Sequence, residues 1–351
     1  MQRNTHAFVS PGHSKEEYSK NVYDSIDPLS TLDIATEQPI KLRTYKSKYN
    51  LTMAIENANM SELIAMDNTY KPRTEIRSNL IENSKYDVLA HRPAAGPSVL
   101  EFYSWMTSTY LPRRFPTVFS ITPAGLYNNV TSLTLPLVPE DVDAALSLLG
   151  SNVDCDFLFL LPIPAGDKDY SAEEGTKYRL EGFITCFPSG FNTRSKLGRS
   201  LADIHGPVPG YKSKLQKSMD RFFASLPVGR IIKRHNWSIT THSRLHVLTG
   251  NHMTEEEHAG GVEDEEIDMS QTVLRCERQT LHRLPSTKAL VFAFKTYTYP
   301  IKELRDEGSG EQLAEAIEGL GEGNVPEITV YKRQVVWGKK VAAYLRGHVD
   351  R

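Results

Sequence analysis

The sharpest pattern of apolar and polar positions in the chain runs from Cys276 to Tyr299. Two alternating, β-favouring arms flank the turn-rich stretch Pro285-Ser286-Thr287-Lys288, which predicts a hairpin. Pairing outward from the turn sets Leu284 opposite Ala289, Leu281 opposite Phe292, Gln279 opposite Phe294 and Glu277 opposite Thr296. Side chains alternate faces along a strand, so Leu281, Gln279 and Glu277 share a face with Phe292 and Phe294. That face begins apolar and ends in an amide and a carboxylate. A carboxylate beside aromatic rings is costly unless it has a partner or a task. The face is therefore read as a pocket wall, or else as the site of a buried ion pair between Glu277 and Arg275 or Arg278.

Elsewhere the pattern is helical from Leu51 to about Thr107, with Asn59 as an N-cap candidate and amphipathic stretches over 70–83 and 98–111. Residues 118–137 carry β-branched clusters broken by turn residues, and a short helix follows to Leu149 with Pro139 near its first turn. Residues 156–162, 178–187 and 231–241 read as strands, and 196–205 and 216–225 as helices. Helices over 311–320 and 326–346 close the chain, the second with an apolar stripe of Ile328, Tyr331, Val335, Val341, Ala342 and Leu345. Strands and helices mix without a βαβ rhythm, so the fold class is α+β: an antiparallel sheet with helices and helical additions at both ends. The expected organisation is a disordered tail over 1–38, a mainly helical part over 39–115, a sheet domain over 116–300 and a packed helical part over 301–351.

Composition narrows the function classes. A formal net charge of −2 gives no sign of a nucleic-acid binder. Cys155, Cys186 and Cys276 are widely spaced, which excludes an all-cysteine iron–sulfur cluster or a four-cysteine zinc site within this chain and fits a reducing compartment. There is no signal-peptide pattern and no apolar run of membrane-spanning length, so a cytoplasmic protein without membrane contact is expected. Residues 251–268 form an acidic insertion, read as a solvated loop, with a metal site at His252 and His258 as the alternative.

Two further segments carry candidate chemistry. A helix over 196–205 would place Leu197, Leu201 and His205 on one face, ended by Gly206 and Pro207. A histidine there is either a core residue bonded to a backbone carbonyl or a metal or haem ligand. Lys196 and Arg199 are either solvated charges or partners for haem propionates. In Arg234-His235-Asn236-Trp237-Ser238-Ile239, alternation puts Arg234, Asn236 and Ser238 on one face and assigns Trp237 to the core. Arg234 and Asn236 are candidate pocket donors. No HExxH, GxSxG, P-loop or dinucleotide fingerprint is present.

Together these segments resemble the α subunit of haem-dependent oxidative N-demethylase, in which a PAS-type domain binds haem. The resemblance rests on KYNLTMAI at 48–55, ELIAMDNTY at 62–70, YRLEGFITCFPSGF at 178–191, KLGRSLADIHGPVPGY at 196–211, DRFFASL at 220–226, RHNWSI at 234–239 and LRCERQTLHRLPSTKALVFAFKTYTYP at 274–300. It implies a PAS-like sheet domain, a haem b cofactor, dioxygen chemistry and a secondary-amine substrate such as dimethylamine. It also implies electrons from NADPH through FMN and a [2Fe–2S] centre on a separate reductase, with tetrahydrofolate as acceptor of the one-carbon unit. His205 is then the axial ligand. Glu277 and Gln279 become candidates to hold a cationic amine or polarise oxygen, and Arg199, Arg234 and Asn236 looser cofactor-binding candidates. The acidic insertion, the enlarged turn at 163–176 and the long N-terminal tail depart from the family's simplest members. Two alternatives stand beside this one: a haem-binding PAS gas or redox sensor, and a haem-free small-molecule-binding module. A homo-oligomer is compatible with the sequence, which defines no interface.

Overall fold

The computed structural model of the protein describes residues 22–43, 45–173, 175–261 and 265–349. Ten strands are present among them: β1 (Glu56–Ala58), β2 (Leu89–His91), β3 (Phe119–Thr122), β4 (Gly125–Asn128), β5 (Leu133–Leu135), β6 (Asp156–Pro162), β7 (Tyr178–Ile184), β8 (Ile231–Thr240), β9 (Val273–Arg283) and β10 (Leu290–Pro300). Seven of them form one antiparallel sheet in the order β1-β8-β9-β10-β6-β7-β2, and β3-β4-β5 form a small second sheet. With the surrounding helices this is an α+β fold.

The β9–β10 hairpin has the register its alternation predicts. Leu281 pairs with Phe292, Gln279 with Phe294 and Glu277 with Thr296. The turn closes where the Leu284 N–H donates to the Ala289 carbonyl at 2.8 Å, with Lys288 in the left-handed region at φ 61°. One face of the sheet is covered twice. Phe157, Phe159, Val291 and Ala293 pack under the N-terminal helices Tyr70–Asn83, Gly96–Trp105 and Val142–Asn152. Trp237, Leu274, Cys276 and Tyr297 pack under the C-terminal helices Gly310–Glu318 and Gln334–Leu345. Fully burying an aromatic ring such as Phe157 is worth roughly 1.5–3 kcal/mol, so these two cores fix which face of the sheet points away from the helices.

Several local expectations change. Residues 51–69 are not a helix. They hold β1, paired with β8 through Glu56 and Lys233, and then a single 3-10 turn, Met60–Glu62. Asn59 does cap that turn, accepting from the Glu62 N–H at 3.1 Å while the Glu62 carboxylate accepts from the Asn59 N–H at 3.0 Å. The expected helix over 98–111 starts at Gly96 and continues beyond Trp105 through a π turn at Met106–Tyr110 into Leu111–Arg114. Pro139 precedes the N-cap, Asp141, rather than lying in the first turn. The C-terminal helix expected over 326–346 breaks at Arg333, φ 58°, into Ile328–Tyr331 and Gln334–Leu345. The break rotates Val335 out of the stripe to 38% exposure and brings Trp337 into the core. Of the tail expected over 1–38, residues 1–21 lie outside the described residues, whereas Tyr23, Ile26 and Leu32 are buried in the core. No helix among the described residues is long and apolar enough to cross a membrane.

Candidate functional site

The other face of the sheet is covered only in part, at its apolar end, by Leu201, Ile204, Phe222 and Phe223. It floors a cavity of about 330 Å³, roofed by parts of residues 191–223 and closed at the ends by residues 49–55 and 328–332. The floor is apolar at one end, where Leu158 and Leu160 of β6, Leu180 of β7, Leu281 of β9 and Phe292 of β10 meet the roof residues Leu201, Ile204, Phe222 and Phe223. The other end is polar. There β8 supplies Arg234, Asn236 and Ser238, and β9 supplies Arg275, Glu277 and Gln279. Register makes this end. Arg234 lies opposite Gln279, Asn236 opposite Glu277 and Ser238 opposite Arg275, so all six side chains leave the same face.

His205 stands in the roof. It follows a one-turn helix, Leu201–Ile204, rather than ending the long helix expected from Lys196. Gly198, at φ 79°, interrupts the chain, and Ser200 restarts it as N-cap, its Oγ accepting from the Asp203 N–H at 3.2 Å. Leu197 therefore does not share a helical face with His205, but the spacing of four between Leu201 and His205 survives. The Nδ1 of His205 lies 2.8 Å from the Leu201 carbonyl oxygen. A carbonyl only accepts, so Nδ1 carries the proton and Nε2 of the neutral ring keeps its lone pair. Nε2 has no protein partner among the described residues. Burial depresses the pKa of His205, the Leu201 bond partly opposes that, and Lys196 and Arg234 depress it further, so the ring stays neutral. Tyr211 stacks on it at 4.8 Å between centroids and holds its orientation.

The polar end is dominated by cations. Arg275 donates to the backbone carbonyls of Phe187 at 2.9 Å, Arg244 at 3.0 Å and Leu245 at 3.0 Å, and burial pushes its pKa down to about 10. Lys332 is buried, donates to the Trp237 carbonyl at 2.6 Å, and has its pKa pushed down to about 8 by burial and then by Arg234. Arg234 makes no hydrogen bond or ion pair among the described residues, and its Nε is buried without a partner. Burial lowers its pKa, with Tyr49 and Glu277 opposing. Glu277 accepts from Gln279 Nε2 at 2.8 Å.

The expected ion pair of Glu277 with Arg275 or Arg278 is not formed. Arg275 spends its terminal nitrogens on carbonyls, and Arg278 leaves the opposite face to donate to the carbonyls of Glu62 and Leu63. Glu277, Gln279, Arg234, Asn236 and His205 all line one cavity, as does Lys196. Arg199 does not: it is exposed, on the segment whose backbone accepts from Leu180. In the acidic insertion, residues 262–264 lie outside the described residues, and no metal-binding group of His, Cys, Asp and Glu occurs among the described ones. His252 turns inward instead, its ring tilted by 30° against Tyr331 at 4.5 Å between centroids, and burial pulls its pKa down to about 4.

Sequence reasoning missed His252, Lys332 and Tyr49 as cavity residues. Lys332 carried a signal: it stands four residues beyond Ile328, on the predicted apolar stripe, where a lysine is out of place. His252 and Tyr49, each isolated in an irregular segment, carried none.

The family model of haem-dependent oxidative N-demethylase, alpha subunit-like proteins matches residues 54–342, and the chain belongs to that family. The family's name makes it one of oxidoreductases that depend on haem and remove N-methyl groups, with this chain matching the alpha subunit.

Proposed function

We propose that this chain is the haem-binding, amine-oxidising subunit of an N-demethylating monooxygenase, with His205 as the axial ligand. The observation that carries the reading is the His205 ring: neutral, its Nδ1–H held by a backbone carbonyl, its Nε2 free at the wall of a cavity with one apolar end. A histidine that ligates a metal donates its other nitrogen in this way, because the bond fixes the tautomer and the ring plane. The apolar floor suits a macrocycle, and Lys196 is the cation beside His205 for its carboxylates. Five neighbouring strands, β7-β6-β10-β9-β8, follow the order 2-1-5-4-3 among themselves, which supports the PAS-type reading.

Haem b, when bound, would supply dioxygen activation and one-electron acceptance. The chain's own residues would do the rest. Glu277 would accept hydrogen bonds from the ammonium of a secondary amine, and Gln279 fixes the Glu277 carboxylate for that task. Enclosure of the site among Tyr331, His252 and the roof would limit water at the reacting methyl group. Removing one methyl as formaldehyde consumes one dioxygen, two electrons and two protons and releases one water. Electrons would come from NADPH through FMN and a [2Fe–2S] centre of a separate reductase. Tetrahydrofolate would take the one-carbon unit on a partner. The chain would work in the cytoplasm.

The test is the absorption spectrum of protein expressed with haem supplementation, oxidised and reduced, beside His205→Ala. A Soret band that shifts or vanishes in the variant, followed by amine-dependent dioxygen uptake with added reductase, is expected. A wild type without a Soret band would remove the proposal. A band untouched by the substitution would move the ligand elsewhere.

A further inference from the structure

We infer that the polar end of the cavity recognises a carboxylate on the substrate, so that the preferred amine is an N-methyl amino acid rather than a simple dialkylamine. This rests on the reading of the cavity as an amine-oxidising site. Three cations, Arg234, Arg275 and Lys332, face the polar end, and Glu277 is the carboxylate that faces them. Their situations differ. Arg275 is anchored to backbone carbonyls, and Lys332 is tied to the Trp237 carbonyl. Arg234 is anchored to nothing among the described residues, and its Nε is buried without an acceptor. A half-buried guanidinium whose Nε is shut from solvent without an acceptor is costly, and a ligand carboxylate is the group its planar fork fits.

The charge balance points the same way. A dialkylammonium would add another positive charge to a region already short of negative ones. A zwitterion adds none, and its two ends find opposite partners on adjacent strands. Arg234 faces Gln279 across the β8–β9 ladder, and Glu277 is two residues further along β9, opposite Asn236. That diagonal separates backbones by roughly 7–8 Å, a span that converging side chains bridge with a small amino acid between them. Glu277 takes the ammonium and Arg234 the carboxylate, which leaves the α-carbon between them and orients the N-methyl group through its nitrogen.

The experiment is calorimetric titration of the full-length, haem-loaded protein with N-methylglycine and with dimethylamine, in the wild type and in Arg234→Gln, with haem content read from the Soret band. N-methylglycine is expected to bind more tightly than dimethylamine. The substitution is expected to weaken N-methylglycine by roughly 10- to 100-fold, the range for one lost charged hydrogen bond, and so to erase the preference. Wild-type dimethylamine affinity equal to or above that for N-methylglycine would overturn the inference, and this comparison decides even if the variant does not fold. Loss of haem from Arg234→Gln with the preference intact would also overturn it, by giving Arg234 to the cofactor's carboxylates. Failure of the wild type to take up haem would count against the haem reading alone, and the same titration on haem-free protein would still test the carboxylate site.

Discussion

Two buried charge clusters flank the same sheet, and they are built on opposite principles. On the helix-covered side, Arg73, Arg77 and Lys295 meet Asp67, Asp154 and Asp156, three cations against three carboxylates. Arg77 pairs with Asp156 at 2.8 Å and donates to the Cys155 carbonyl, while Asp156 also accepts from the Cys186 and Phe187 N–H groups. Lys295 pairs with Asp67 at 2.7 Å and with Asp154 at 3.2 Å. Burial would raise the pKa of Asp154, yet Arg73, Lys295 and Arg77 outweigh it and hold it below the usual carboxylate range. On the cavity side, Arg234, Arg275 and Lys332 face Glu277, three against one, and Arg234 has no hydrogen-bond or ion-pair partner among the described residues. A balanced cluster, with each cation set against a carboxylate, holds a fold together. An unbalanced one at the wall of a cavity is completed by something outside the chain.

The strongest way to break this contrast is to cut the balanced cluster. Arg77 is fully buried and links the helix Tyr70–Asn83 to the start of β6. Arg77→Met should leave Asp156 uncompensated and destabilise the protein by about 3–5 kcal/mol, measured by urea denaturation. A loss below about 1 kcal/mol would mean that the cluster is not structural in this sense.

The second test uses the cost of the unbalanced side. The Lys332 pKa is pushed down to about 8 in the folded chain, against roughly 10.4 for a free lysine. Below the folded value both states are protonated and the cost is fully present. Between the two values the unfolded chain binds the extra proton, so stability rises with pH and the cost is gone above the upper one. The shift corresponds to up to roughly 3 kcal/mol at about 1.4 kcal/mol per pH unit. Urea midpoints between about pH 8 and about pH 10 should rise in the wild type relative to Lys332→Met. Parallel curves for the two proteins would refute the assignment.

The two clusters also differ in how far the sequence announces them. The cavity wall was legible because period-two alternation around one turn set the β9–β10 register, and with it the face carrying Glu277 and Gln279. The β8 alternation likewise placed Arg234 and Asn236 away from Trp237. The balanced cluster was not legible. Asp154 and Asp156 meet Arg73, Arg77 and Lys295 only through long-range packing, which no local period encodes. His205 reaches the cavity by a route the alternation only half foresees, since Gly198 breaks the helix expected to carry it and the Leu201 bond and the Tyr211 stack fix the ring. Lys332 was legible only as a lysine out of place on the apolar stripe, four residues beyond Ile328.

The smallest expected effect is the most discriminating, because its sign is opposite to that at Arg77. In the haem-free protein, Arg234→Met removes a half-buried cation that bonds to nothing among the described residues, and the apolar stem is replaced by one of similar length. Removing an unpaired buried charge is neutral or favourable, so the variant should be more stable than the wild type by about 1 kcal/mol. The same change relieves Lys332 of the repulsion that Arg234 adds to burial, so the alkaline rise of the second test should begin at higher pH and shrink. Both shifts follow from one missing charge, and both are read from urea midpoints against pH. A variant that is less stable than the wild type by more than about 1 kcal/mol would mean that Arg234 has a partner within the fold. The cavity cluster would then be closed in the same way as the one beneath the helices, and the case for a ligand that completes it would fall.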